Sequence, residues 1–201
     1  NPAHERRVAE IIAEERPDLF VSLSSEVLPQ FREFERTVAT VLNALVMPHI
    51  SRYVARLEAG LETQGIRAPL LIMKSNGGVV SASTTARQAV QTVLSGPVAG
   101  VTGALHVARS AGHDSFISID VGGTSADICL VRGGVPEVTT EREIGGLPLQ
   151  IPMLDITTVG AGGGSIARIT PAGSLTVGPE SAGARPGPAC YGLGGTDPTV
   201  T

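Results

Sequence analysis

Aromatic side chains are nearly missing from this chain: there is no tryptophan, and all aromatics together make 3% of its 201 residues. A nucleic-acid surface wants stacking faces and a basic field. Neither is here, since 15 Lys and Arg stand against 19 Asp and Glu for a net charge of −4, with no basic run. No nucleic-acid partner is expected. Cysteine is scarce as well. Cys129 and Cys190 make neither a disulfide framework nor a zinc pattern, which suits a reducing cytoplasm. His4, His49, His106 and His113 lack metal-ligand spacing. No apolar run reaches the roughly 20 residues of a membrane helix, so no membrane partner is expected. No secretory leader opens the chain. There is no G-x-x-x-x-G-K-[ST], which removes the P-loop as a way to hold phosphate. An initiator methionine is absent too, and the expectation is an excised segment with half its active site elsewhere.

What is present is a globular composition, 42% hydrophobic, with 25 glycines and 14 prolines concentrated after Lys74. Val8, Ile11 and Ile12 keep helical spacing up to Pro17. Phe20–Ser24 reads as a short strand. Val38, Val41, Leu42, Leu45, Val54, Leu57 and Leu61 form an apolar helical stripe that Pro48 should kink or divide. Leu70–Met73 reads as a buried strand ending in the turn Ser75-Asn76-Gly77-Gly78, a place where α/β sheets put ligands. Helices at about 85–94 and 98–111 follow, split by Ser95-Gly96-Pro97. This alternation predicts an α/β layer with parallel strands over residues 1–111. Past a boundary near 112–115 the pattern changes to strands at 116–119, 128–131 and 135–143, with connections short enough for an antiparallel meander. A hairpin over 165–177 and a Gly/Pro-rich tail complete the reading.

The most informative stretch runs from Phe116 to Leu130. A strand delivers Asp120 to its end, Gly122 and Gly123 let the backbone approach a ligand with its N–H groups outward, and Thr124 adds a hydroxyl. A Rossmann turn would need a helix after the glycines, whereas Ile128–Val131 reads as strand. An aspartate beside a polyphosphate is repelled unless a cation such as Mg²⁺ stands between them, which makes Asp120 a candidate metal ligand through water. A plain glycine turn capped by aspartate is the alternative reading. Glu26, Glu33, Glu35 and Arg36 read as a solvated or capping face. Cys129 alternates into a core, and Cys190 lacks a partner histidine for nucleophilic work, so a buried structural thiol is expected there.

Asp120–Asp127 resembles the second phosphate motif of the actin-like ATPase (ribonuclease H-like) superfamily. The wider context is similar to the hydantoinase A/5-oxoprolinase family and its acetone and acetophenone carboxylase relatives. That resemblance is carried by Ser25-Glu26-Val27-Leu28-Pro29, Met73-Lys74-Ser75-Asn76-Gly77-Gly78, Ser95-Gly96-Pro97-Val98-Ala99-Gly100, Val159–Ala167 and Ser181–Gly192. Arg185 departs from it, standing where the family often has an acidic residue. The resemblance implies an α/β fold whose residues 1–113 end lobe I with a connecting helix and whose residues 114–201 begin lobe II. The first phosphate loop would lie before this segment and the adenosine site after it. It implies ATP and Mg²⁺ as cofactors, a small cyclic amide as substrate, a possible hydantoinase B-type companion subunit and an oligomer. The implied chemistry is phosphorylation of the amide oxygen, with Gly122, Gly123 and Thr124 on the β/γ-phosphates and Asp120 on Mg²⁺. Asp127 stands near the metal or in a strand-end hydrogen bond, and Gly162 and Gly163 line the nucleotide cleft or form a turn. A carboxylase subunit and a non-catalytic nucleotide-binding regulator or scaffold are the competing functions.

Overall fold

The computed structural model describes all residues, 1–201. In chain order the elements are α1 (Pro2–Glu15), α2 (Ser24–Val27), α3 (Glu33–Thr63), β1 (Leu71–Met73), β2 (Val79–Ser81), α4 (Ala82–Arg87) and α5 (Ser95–Ser110). Strands follow: β3 (Phe116–Val121), β4 (Ala126–Arg132), β5 (Val135–Pro136), β6 (Val138–Thr139), β7 (Arg142–Ile144) and β8 (Leu147–Leu149). The last are β9 (Met153–Leu154), β10 (Ile156–Val159), β11 (Ser165–Ile169) and β12 (Leu175–Ser181). No helix is long and apolar enough to cross a membrane. Two compact units result, one of Asn1–Ala99 with Val138–Leu154, the other of Gly100–Glu137 with Asp155–Thr201. The boundary expected at 112–115 falls inside the second unit.

The first unit is built on α3. This helix runs unbroken through Pro48 rather than dividing there. Its buried positions are Val38, Ala39, Asn43, Met47 and Val54, whereas Val41 and Leu45 of the expected stripe are 58% and 66% exposed. The core joins Val27, Leu28, Ala39, Val90, Leu149, Ile151 and Met153. Asn43, fully buried, ties three segments together: its Nδ2 donates to Ser22 Oγ and the Arg87 carbonyl, and its Oδ1 accepts from the Val90 N–H. A buried amide with its hydrogen bonds made fixes register where an apolar side chain could slide.

Four further expectations fail in this unit. The strand at Leu70–Met73 is not buried, since Leu71 is 55% exposed. Phe20–Ser24 is not a strand; it meets no ladder partner, and Ser24 begins α2 instead. The helix expected at 85–94 is the short α4 followed by a 3-10 turn at Ala89–Thr92. The strands are not parallel: β1 pairs antiparallel with β2 across Lys74–Gly78, a connection too short for a parallel crossover. Gly77 supplies the left-handed residue of that turn, at φ 85°.

The second unit holds the expected antiparallel meander. β4 is central, flanked by β3 and β10, with β5 on its far end. The strand expected over 135–143 is instead divided among β5 of this unit and β6 and β7, which belong to the first unit. β11 and β12 form the expected hairpin.

Candidate functional site

The β3–β4 hairpin pairs six residues in unbroken register from Phe116↔Val131 to Val121↔Ala126. Its turn is Gly122-Gly123-Thr124-Ser125, closed by the Gly122 N–H donating to the Ser125 carbonyl at 2.9 Å. Gly122, Gly123 and Thr124 are exposed. Behind the turn lies the loop that carries Gly162, Gly163 and Gly164. The Gly163 N–H donates to the Gly122 carbonyl at 2.9 Å, and the Gly164 N–H to the Gly123 carbonyl at 2.6 Å.

These two bonds set the direction of the hairpin's amides. In a planar trans peptide the C=O and N–H of one unit point opposite ways. Gly122 C=O and Gly123 N–H share a unit, as do Gly123 C=O and Thr124 N–H. With both carbonyls turned back onto the glycine loop, both N–H groups are turned away from it. Neither has a protein partner, and nothing lies within 4 Å of where a Cβ on Gly123 would stand. Two adjacent, outward N–H groups without a protein partner are donors of the kind an anion can engage.

Glycine is required behind the turn for steric reasons. A Cβ at Gly162 would meet the Gly122 carbonyl oxygen, the Ser125 nitrogen and the Thr124 carbonyl carbon, all at 2.7 Å. One at Gly164 would stand 2.9 Å from both the Gly123 carbonyl oxygen and Ser181 Oγ. Gly162 and Gly163 thus touch the carbonyl side of the hairpin. The loop is itself pinned by Ser165, whose Oγ accepts from the Gly162 N–H at 2.9 Å, and by the Thr201 N–H donating to the Gly163 carbonyl at 2.8 Å.

Asp120 and Asp127 stand directly opposite each other across the hairpin. Like charges so placed destabilise a strand pair by roughly 0.2–1 kcal/mol, which a nearby cation would reverse. Asp127 hydrogen-bonds within the sheet: Thr158 Oγ1 of β10 donates to its Oδ1 at 2.6 Å. Asp120 is exposed and has no protein partner. Gly100 of α5 leaves room beside it, since a Cβ there would lie 3.6 Å from Asp120 Oδ2. No group of three or more His, Cys, Asp or Glu gathers anywhere in the chain. A divalent cation at Asp120 would therefore depend on one carboxylate, water and ligand oxygens, a donor set that fits Mg²⁺ with a phosphate better than a closed cage.

Thr158 and Gly100 escaped the sequence reading as site residues. Thr158 lies in a β-branched run, Ile156-Thr157-Thr158-Val159, whose strand character was the only local signal, and Gly100 closes the motif Ser95–Gly100. Cys129 is 1% exposed, and burial, then the charges of Asp155 and Glu137, hold its thiol above its ordinary range. It belongs to the core, as expected. Cys190 is exposed rather than buried.

The hydantoinase/oxoprolinase family model matches residues 36–201. The caprolactamase alpha subunit of Pseudomonas jessenii is 43% identical over 201 residues, covering 100% of this chain and 29% of that protein. The acetophenone carboxylase gamma subunit of Aromatoleum aromaticum is 38% identical over 208 residues, covering 100% and 28%. Among solved structures, the ATP-dependent caprolactamase of Pseudomonas jessenii superposes with a TM-score of 0.82 over 100% of this chain and 29% of its own, at 43% identity. Nucleotide-free acetone carboxylase gives 0.74 over 99% and 28%, at 29% identity. The chain spans less than a third of the length of these relatives. With an α/β fold shared end to end and the β3–β4 hairpin inside the matched span, this chain belongs to the hydantoinase/oxoprolinase family.

Proposed function

We propose that the chain is the second phosphate-gripping segment of an actin-like ATPase fold, in an enzyme that uses ATP to open hydantoin- or 5-oxoproline-like rings. The observation that carries this is the pair of outward N–H groups on Gly123 and Thr124, backed by a glycine loop that leaves them no other direction. ATP with Mg²⁺ would supply a phosphoryl group to the amide oxygen and so activate the ring carbon for addition of water; the ring C–N bond then breaks with the nitrogen leaving as the amine, and the acyl phosphate left behind is hydrolysed to carboxylate and phosphate. The chain's own residues do the holding. The Gly123 and Thr124 amides and the Thr124 hydroxyl donate to phosphate oxygens. Asp120 orients the waters of the cation. Asp127, engaged by Thr158, positions the strand end, and Gly162 and Gly163 brace the turn from behind. Phosphoryl transfer depends mainly on such positioning and charge stabilisation. Relatives named as subunits support a companion subunit in the working enzyme.

The test is Asp120→Asn in the full-length protein. ATP turnover in the presence of hydantoins, lactams or 5-oxoproline is expected to fall about a hundredfold or more; turnover and nucleotide affinity both unchanged would remove Asp120 from the site. Identity of 38% to a carboxylase subunit supports a second reading, an ATP-dependent ketone carboxylase. ATP hydrolysis stimulated by ketones plus bicarbonate, and not by cyclic amides, would favour it. Stimulation by neither would favour a nucleotide-binding regulator.

A further inference from the structure

The first unit contains a cavity of about 260 Å³ that has no part in the phosphate site. Ser75 builds it. Its N–H donates to the Gln91 carbonyl at 2.7 Å, its Oγ lies 2.7 and 2.6 Å from the Gln91 and Val93 carbonyls, and its own carbonyl accepts from the Leu154 N–H at 2.8 Å. These bonds bring the turn after β1, the segment before α5 and the β8–β9 connection around one space. Its polar lining is Glu26, Gln30, Lys74, Asn76 and Gln91, and Val27, Leu28 and Ile151 add apolar wall.

Two features of this lining point to a ligand. Lys74 and Glu26 carry opposite charges into the same cavity, yet neither takes part in any ion pair. The charged pair sums to zero, so the lining complements a molecule that is dipolar and net neutral. A nucleotide is excluded by the single cation and by a volume below that of drug-sized sites, which start at about 300 Å³.

We infer that this pocket binds a small zwitterionic amino acid, with its carboxylate at Lys74, its ammonium at Glu26 and its methylene groups against Val27, Leu28 and Ile151. Lysine is a compact cation suited to a single carboxylate, and an ammonium provides N–H donors for the Glu26 carboxylate. The charge pattern stands on the pocket alone. The choice of linear ω-amino acids as probes rests on the lactam branch of the proposed function, because opening an unsubstituted lactam yields one.

The experiment is calorimetric titration of the nucleotide-free full-length protein with glycine, 4-aminobutanoate and 6-aminohexanoate, using butanoate and butylamine as single-charge controls. At least one amino acid is expected to bind about tenfold or more tightly than either control. Lys74→Met and Glu26→Gln are each expected to weaken it by a similar factor, whereas Lys74→Arg retains binding. Glu26 is exposed, so its replacement by Gln leaves the fold intact and the comparison readable. Failure of all three amino acids to bind, or affinity unchanged in both charge-removing variants, overturns the inference. Because no nucleotide is present, a failed phosphate hairpin and a failed pocket give separate results.

Discussion

At the scale of single residues, one glycine works for the protein's own packing and another for the ligand, and substitution separates them. Gly162→Ala forces a Cβ into hairpin backbone on three atoms at 2.7 Å, and backbone cannot step aside as a flexible side chain would. Overpacking of this kind costs about 1–3 kcal/mol. The thermal midpoint is expected to fall and nucleotide affinity to drop about tenfold or more, measured by thermal shift and titration. Gly123→Ala meets nothing within 4 Å. It is expected to leave the midpoint unchanged while still weakening nucleotide binding, because its methyl group obstructs only an incoming phosphate. Equal loss of stability in both variants would contradict this division. The motif Asp120-Val121-Gly122-Gly123-Thr124 was legible in sequence because a β-run delivers it and another leaves it. The direction of its amides was not, since that depends on carbonyl partners some 40 residues away in Gly163 and Gly164.

Among the elements, α1 depends on a polar anchor more than on packing, for it buries no residue of its own. Glu5 reaches α2 and α3: its carboxylate accepts from the Ser25 N–H and hydroxyl, from Ser24 Oγ and from the Arg36 guanidinium at 2.7 Å. The Ser25 amide, ahead of the serine hydroxyls and Arg36, holds the Glu5 carboxyl below its ordinary range. A depressed folded-state pKa stabilises fully above the unfolded value and ceases to do so as pH falls through the folded one. Glu5→Gln is therefore expected to lower stability near pH 7 by on the order of 1 kcal/mol, after allowance for solvent access. The difference should vanish in acid, below the usual glutamate range. Denaturant midpoints across pH 7 to 3 would show this; a difference constant with pH would reject the role given to the charge. Helix α1 and the β3–β4 meander were readable because periodicity is strong and local. Phe20–Ser24 misled because short apolar runs do not declare a ladder partner. The direction of the β1–β2 pairing was missed because β2 has only three residues, Val79-Val80-Ser81.

For the molecule as a whole, one face of the meander remains apolar and open: Ile117, Ile119 and Val121 alternate along β3 at 62%, 63% and 59% exposure. Contiguous apolar surface drives association. The 201-residue segment expressed alone is expected to self-associate with rising concentration, and Ile119→Thr to reduce that, as read by light scattering. A monodisperse monomer at high concentration would contradict it. Everything proposed about ATP comes down to where a phosphate chain rests in the full-length enzyme. The most direct measurement is a structure of that enzyme with Mg²⁺ and a non-hydrolysable ATP analogue. The expected result places phosphate oxygens about 3 Å from the Gly123 and Thr124 nitrogens, with Gly162–Gly164 still seated on the opposite side of the turn. Phosphates bound away from those two amides, or the turn rotated to present its carbonyls, would contradict it.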